Sequence, residues 1–242
     1  MTRPNGAVVY HGPSMINGAP IVAVLTGLER PSANPKTGDM LQLWIMSAAA
    51  LPLDASQTGE DAAVCGGCKH RPKFGGTCYV SLFQGPRAVW TVWNNGDYLD
   101  TAPDDIAQLV KDRLVRLGAY GDPAAVPEDI IRKLADAAKG HTGYTHQWAA
   151  PSFRWLQDIC QASVDSLPEY HKAVSQGWAT FRVRPVGETV PQANEFNCPA
   201  SEEGGKRTNC ADCLACNGTG KHIVITAHGA TAKRFNGTQK GS

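Results

Sequence analysis

The chain has 242 residues, enough for a hydrophobic core of ordinary size, and 42% of them are hydrophobic. Lys and Arg number 23 and Asp and Glu 22, so the net charge of +1 provides no overall electrostatic footprint for nucleic acid. No apolar run approaches the roughly 18 residues of a membrane span, and "MTRPNGAVVYHG" has no signal-peptide pattern, so the expected compartment is the cytosol with no membrane partner.

In chain order, "APIVAVLTG" (19–27) and "DMLQLWIM" (39–46) predict strands, being rich in Val, Ile, Leu and Trp. "LERPSANPKTG" between them reads as a loop. "GPRAVWTVWNNGDY" begins as a strand or a helical turn and ends in an Asn-Asn-Gly turn. "TAPDDIAQLVKDRLV" predicts a helix with Thr101 as N-cap and Ile106, Leu109, Val110 and Leu114 on one face. The strand "VRLGAYGDP" follows, then the helix "VPEDIIRKLADAAKG" with Gly140 as C-cap. "TGYTHQW" is a strand, "SFRWLQDIC" a short helix and "QASVDS" a strand. "LPEYHKAVSQG" is a helix, and "ATFRVRPVG", "QANEFNCPAS" and "KHIVITAHG" are strands. Residues 1–230 are expected to form one domain, and 231–242 to be a disordered tail with nothing to bury.

Strands alternating with helices at tight spacing imply an α/β fold with a parallel sheet. A closed or partly closed β/α barrel suits this length, and an open doubly wound sheet is the alternative. No G-x-G-x-x-G follows a strand, as a dinucleotide fold would need. In a parallel barrel the functional groups gather at the C-terminal strand ends. Those ends carry Tyr120 and Asp122, Thr145 and His146, Ser163 and Asp165, and Arg182 and Arg184, with Asn34, Lys36 and His228 from loops. Asp122, His146, Asp165 and Arg182 are the candidate catalytic residues. Asp122 and Asp165 also suit helix N-cap positions. Arg182 and Arg184 share one strand face, where they would bind an anion or pair with Asp122 or Asp165.

Eight cysteines dominate the chemistry. In a reducing compartment, clustered cysteines read as metal ligands or redox groups before disulfides. Cys160 stands alone and reads as an ordinary core residue. Cys65, Cys68 and Cys78 form C-x2-C-x9-C, with Lys69, His70, Arg71 and Lys73 between them. Three ligands suit an incomplete iron–sulfur cluster, 3Fe-4S or 4Fe-4S with an open iron, and the nearby positive charge offsets thiolate charge. His70 would have to fold back to serve as a fourth ligand. Cys198, Cys210, Cys213 and Cys216 form C-x11-C-x2-C-x2-C. Its step of three, and the proline after Cys198, resemble a ferredoxin run, while zinc usually takes two separated C-x2-C pairs. Iron–sulfur and zinc both remain open for this set, and the two sets may share one site.

An early three-cysteine loop and a late cysteine-rich loop on a β/α barrel resemble the radical SAM superfamily. The resemblance implies a [4Fe–4S] cluster on Cys65, Cys68 and Cys78 at the barrel mouth, S-adenosylmethionine on its open iron, and an auxiliary cluster on the C-terminal cysteines. The superfamily's usual C-x3-C-x2-C is replaced here by C-x2-C-x9-C, which weighs against SAM. "SANPKTGDMLQLWI", "VCGGCKHRP", "RLGAYGDPAAVP", "TGYTHQW", "GWATFRVRP" and "CPASEEGGKRTNCADCLACNG" together resemble an actinobacteriophage-type family of phage and plasmid cysteine-cluster proteins. That resemblance implies a phage-encoded protein acting in the host cytosol, on a host or phage protein or a small molecule. It brings no reaction with it. The alternative is a zinc-binding structural or interaction protein without catalysis; "GGKRTNC" and "TAKRF" would serve a nucleic-acid role that the charge balance disfavours.

Overall fold

A computed structural model describes residues 4–188 and 191–238. Within them, ten strands form one sheet: β1 (Gly6–Pro13), β2 (Pro20–Thr26), β3 (Leu41–Ser47), β4 (Leu99–Asp100), β5 (Leu114–Tyr120), β6 (Gly140–Thr145), β7 (Gln161–Val164), β8 (Thr180–Arg184), β9 (Glu195–Asn197) and β10 (His222–Thr226). Their order is β4-β1-β2-β3-β5-β6-β7-β8-β10-β9. β1, β2 and β3 pair antiparallel, and every other pairing is parallel. The fold is therefore mixed α/β with a mostly parallel sheet. No helix among the described residues is long and apolar enough to cross a membrane.

Among the described residues, eight α-helices connect or flank these strands: α1 (Pro52–Thr58), α2 (Ala62–Cys65), α3 (Gly85–Asn94), α4 (Ile106–Val110), α5 (Glu128–Ala137), α6 (Leu167–Ser175), α7 (Cys210–Cys213) and α8 (Ala232–Thr238). The short helix expected at 152–160 is a 3-10 helix over Pro151–Asp158. α5 buries Ile130, Ile131, Leu134 and Ala135 on one stripe, the pattern its sequence carries. α6 starts at Ser166, whose hydroxyl accepts from the Glu169 amide, while the Glu169 carboxylate reaches back to the amide of Asp165 at 2.9 Å. The main core runs from β1 to α6, with fully buried Ile21, Leu25, Leu43, Ile45, Leu117 and Ile131. A smaller cluster of Cys198, Cys216, Ile223 and Ile225 lies under Tyr144, Phe181 and Val183.

Several expectations are revised. Residues 85–94 are helical, not a strand. The helix expected from Thr101 is only α4, because the Thr101 amide extends the β1–β4 pairing by donating to the Val8 carbonyl at 3.1 Å. Gly140 begins β6 instead of capping α5, and a side chain there would meet Leu214 at 2.8 Å. Residues 232–238, expected to be a disordered tail, form α8, which buries Phe235; residues 239–242 of that tail lie outside the described residues. Neither arginine of β8 pairs with Asp122 or Asp165. The Arg182 guanidinium donates to both carboxylate oxygens of Glu195 at 2.7 Å and to Glu188 at 2.6 Å, with its side chain 1% exposed. Arg184 donates to Thr226 and Asn197.

Removing one partner of such a pair leaves a charge buried and uncompensated. Glu195→Ala is expected to cost about 3–5 kcal/mol, read from urea denaturation. A loss well under 1 kcal/mol would show that Arg182 has a route to water.

Candidate functional site

A cavity of about 420 Å³ is lined by β5 to β8 and β10 and by residues just past their C-terminal ends. Side chains alternate across a strand, so every second residue reaches it. β5 contributes Arg116 and then Gly118, Ala119 and Tyr120, its alternation broken at Gly118 (φ +83°); β6 contributes Thr142 and Tyr144, with His146 just beyond. β7 contributes Ser163, with Asp165 beyond it, and β8 and β10 supply Phe181, Val183, Ile223 and Ile225 as an apolar wall. Val115, Leu117, Ala162 and Val164 lie between these positions and belong to the main core. The same alternation sends Arg182 and Arg184 away from the cavity, so Arg182 is not a residue of this site.

All seven clustered cysteines line this one cavity: Cys65, Cys68, Cys78, Cys198, Cys210, Cys213 and Cys216. All eight cysteines are free thiols, and Cys160 is fully buried in the main core, as its sequence context suggests. Asp122, His146, Asp165, Tyr120, Ser163, Asn34, Lys36 and His228 also line the cavity, whereas Thr145 does not. Sequence reasoning missed Arg116, Thr142 and Tyr144, whose only signal is their even spacing with Tyr120 and His146.

The first cysteine loop is tied down from inside. Arg71, 5% exposed, donates to the carbonyls of Gly66 at 2.8 Å and Gly59 at 3.0 Å and to Asp61 at 2.7 Å. Gln147 clamps the C-x2-C turn: its amide donates to the Cys65 carbonyl at 3.1 Å, and its oxygen accepts from the Gly67 amide at 3.2 Å. Gly66 has φ +53°, and a side chain there would meet Gln147 at 2.5 Å. This requirement accounts for glycine after Cys65.

The second loop is built on long-range backbone bonds. Asn209 caps α7 by accepting from the Asp212 amide. The amides of Cys210 and Ala211 donate to the carbonyls of Lys36 and Thr37 at 2.9 and 3.1 Å. Cys198 donates to the Val224 carbonyl, and the Cys216 carbonyl accepts from Gly143, each at 2.9 Å. Gly204 packs on the Cys198 carbonyl so closely that a side chain would lie 2.0 Å from it.

Burial pushes the thiols of Cys65, Cys78, Cys198, Cys210 and Cys216 up. The neighbouring sulfurs separate them into two sets. Cys65 and Cys78 are raised further by the charge on Cys68; Cys198, Cys210 and Cys216 by that on Cys213. Arg116 and Lys36 oppose this at Cys210, and Lys36 at Cys198. The Arg116 Nε and Thr142 Oγ1 are buried without a hydrogen-bond partner.

Beside the first set stand His70, His146 and Asp165. Among the described residues, this is the set of three whose ligand atoms all lie within 4.8 Å of one another; neither cysteine set closes so tightly. Burial pulls the His146 imidazole down, but Cys68 and Asp165 outweigh it and hold it well above its ordinary value. Burial raises Asp165, yet His146 and His70 more than offset this and hold its carboxyl well below the usual range. Asp122 is kept up by burial against hydrogen bonds from Ala124 and His146.

Gly66→Ala is expected to cost about 1–3 kcal/mol through its backbone conformation. Urea denaturation checks this; unchanged stability would show that the turn has another accessible path. No protein-family model, no curated protein and no solved structure matches the chain.

Proposed function

We propose that the protein binds two iron–sulfur clusters in one cavity. Cys198, Cys210, Cys213 and Cys216 would hold one, and Cys65, Cys68 and Cys78 the other, leaving its fourth metal position to the cavity. The observation that carries this reading is the convergence of all seven cysteines on one cavity in a set of four and a set of three.

Their spacing supports it. Thiolates on one tetrahedral zinc lie roughly 4 Å apart, given Zn–S bonds of about 2.3 Å, whereas each cysteine of a cluster binds a different iron and stands farther from its neighbours. No three cysteine sulfurs among the described residues lie within 4.8 Å of one another. The donor set also suits the group: soft thiolates in a protected site, with Lys36 and Arg116 nearby to balance negative charge.

The scaffold this reading uses is a β/α barrel. β3, β5, β6, β7 and β8 follow one another in chain order without the reversal of a doubly wound sheet. When bound, such a cluster supplies one-electron chemistry or, at an open iron, a Lewis acid. The chain itself supplies the chamber. Phe181, Val183, Ile223 and Ile225 exclude water on one side. Arg116 and Lys36 attract an anionic group, and Asp122 and Gln147 hold the first loop in place. The occupant is a small molecule in a reducing compartment, such as the host cytosol that the phage resemblance implies.

Anaerobically purified protein is expected to be brown, with iron and acid-labile sulfide amounting to two clusters per chain. Cys65→Ser and Cys210→Ser should each remove one cluster and leave the EPR signal of the other, and Cys160→Ala should leave both. A colourless protein with stoichiometric zinc would overturn the reading.

A second expectation follows from the raised thiols. They are protonated at neutral pH and must lose their protons to become ligands. Loading should therefore release protons and weaken steadily as the pH falls, measurable by reconstitution in weakly buffered solution. Loading that is independent of pH would argue against thiolate ligation.

A further inference from the structure

We infer that His70, His146 and Asp165 form a separate site for a single divalent transition-metal ion, a two-histidine, one-carboxylate set facing the same cavity. This goes beyond the cluster reading and does not depend on it.

The three residues come from three parts of the chain: the first cysteine loop, the end of β6 and the end of β7. Nothing in their sequence spacing announces them. His70 Nε2 lies 3.0 Å from Asp165 Oδ1, and His146 Nε2 lies 3.7 Å from Asp165 Oδ2. Both imidazoles thus turn the same nitrogen toward one carboxylate, each taking a different oxygen. Their rings meet edge to face at 5.4 Å. Around an ion with metal–nitrogen and metal–oxygen bonds of about 2.0–2.2 Å, neighbouring ligand atoms stand about 3 Å apart, close to the separations already present.

Two further features point to an ion rather than a simple ion pair. First, His146 Nε2 is buried and faces the Asp165 carboxylate from 3.7 Å, too far for a hydrogen bond, so the pair is held at a separation an ion between them would close. Second, the opposite nitrogen of His70 is already held: Nδ1 lies 2.6 Å from Thr77 Oγ1. A metal-bound imidazole ordinarily has its far nitrogen fixed in this way, which sets the ring orientation. Thr77 is itself anchored, because its carbonyl accepts from Thr231 Oγ1 at 3.0 Å.

Hard-to-intermediate ligands of this kind suit Fe2+, Co2+, Mn2+ or Zn2+. Three protein ligands leave the remaining coordination positions to the cavity, where water or an oxygen donor of a small substrate would bind.

The test is titration of the full-length, anaerobically purified protein with Co2+ alone. The expected result is one saturable Co2+ per chain with d–d absorption bands and no thiolate-to-cobalt charge-transfer band. Binding should be lost in His70→Gln and in Asp165→Asn, and weakened about 10-fold in Thr77→Val. It should persist in Cys210→Ser, whose cluster content is measured in the same sample by iron and sulfide analysis. Failure of the cluster reading would thus appear in iron and sulfide, and failure of this one in cobalt. Absence of saturable Co2+ binding in the unmodified protein overturns the assignment. So does a charge-transfer band that disappears with Cys68→Ser while His70→Gln leaves binding intact.

Discussion

The Asp122 carboxylate is the joint on which the cavity depends. It sits just past β5, 6% exposed, where its own amide donates to the Val64 carbonyl at 2.7 Å. One oxygen accepts from the Ala124 amide, and the other from the His146 amide and the Gln147 side chain. Gln147 in turn holds the C-x2-C turn at Cys65 and Gly67. One buried side chain therefore fixes the ends of two neighbouring strands and the first cysteine loop relative to each other. A buried carboxylate with that many donors is rigid, because losing any one of them exposes charge to a low-dielectric interior.

Charge is distributed unevenly around the chamber. The first cysteine set faces the acidic end, with Asp61, Asp122 and Asp165 balanced locally by Arg71 and two histidines. The second set faces Lys36 and Arg116. A bound anionic group would be drawn toward the second wall and a cation toward the first. The two cysteine sets are thus chemically inequivalent in their surroundings as well as in number.

Much of this was legible from the residues. The parallel βα rhythm from residue 114 onward, the end-of-strand positions of Asp122, His146, Ser163 and Asp165, and the core role of Cys160 all follow from period and position. Arg182 defeated the reading because its face depends on register: an alternating strand puts Thr180, Arg182 and Arg184 together, but nothing local says which side holds the cavity. Its partners Glu188 and Glu195 lie beyond the strand and emerge only from the loop path. β1 was not read as a strand for another reason. β1 pairs with β2 through a bulge between Val8 and Tyr10, which breaks its alternation. His70 was masked by its neighbours, since in "CGGCKHRP" it looks like one more charge balancing thiolates. Its Asp165 partner is 95 residues away.

α8 and the loops before it carry a consequence for how the chain matures. The Thr231 hydroxyl and the Arg234 guanidinium donate to carbonyls at Thr77 and Gly76, while the Cys210 amide reaches Lys36. Contacts that span so much sequence close late, after the loop entropy between them has been overcome. During synthesis the N-terminal cysteines leave the ribosome long before their opposing wall exists. Until the last stretch docks, those thiols face solvent, open to oxidants and stray metals. Docking of the segment around Thr231 and Arg234 on the first cysteine loop is thus what closes the cavity over those thiols.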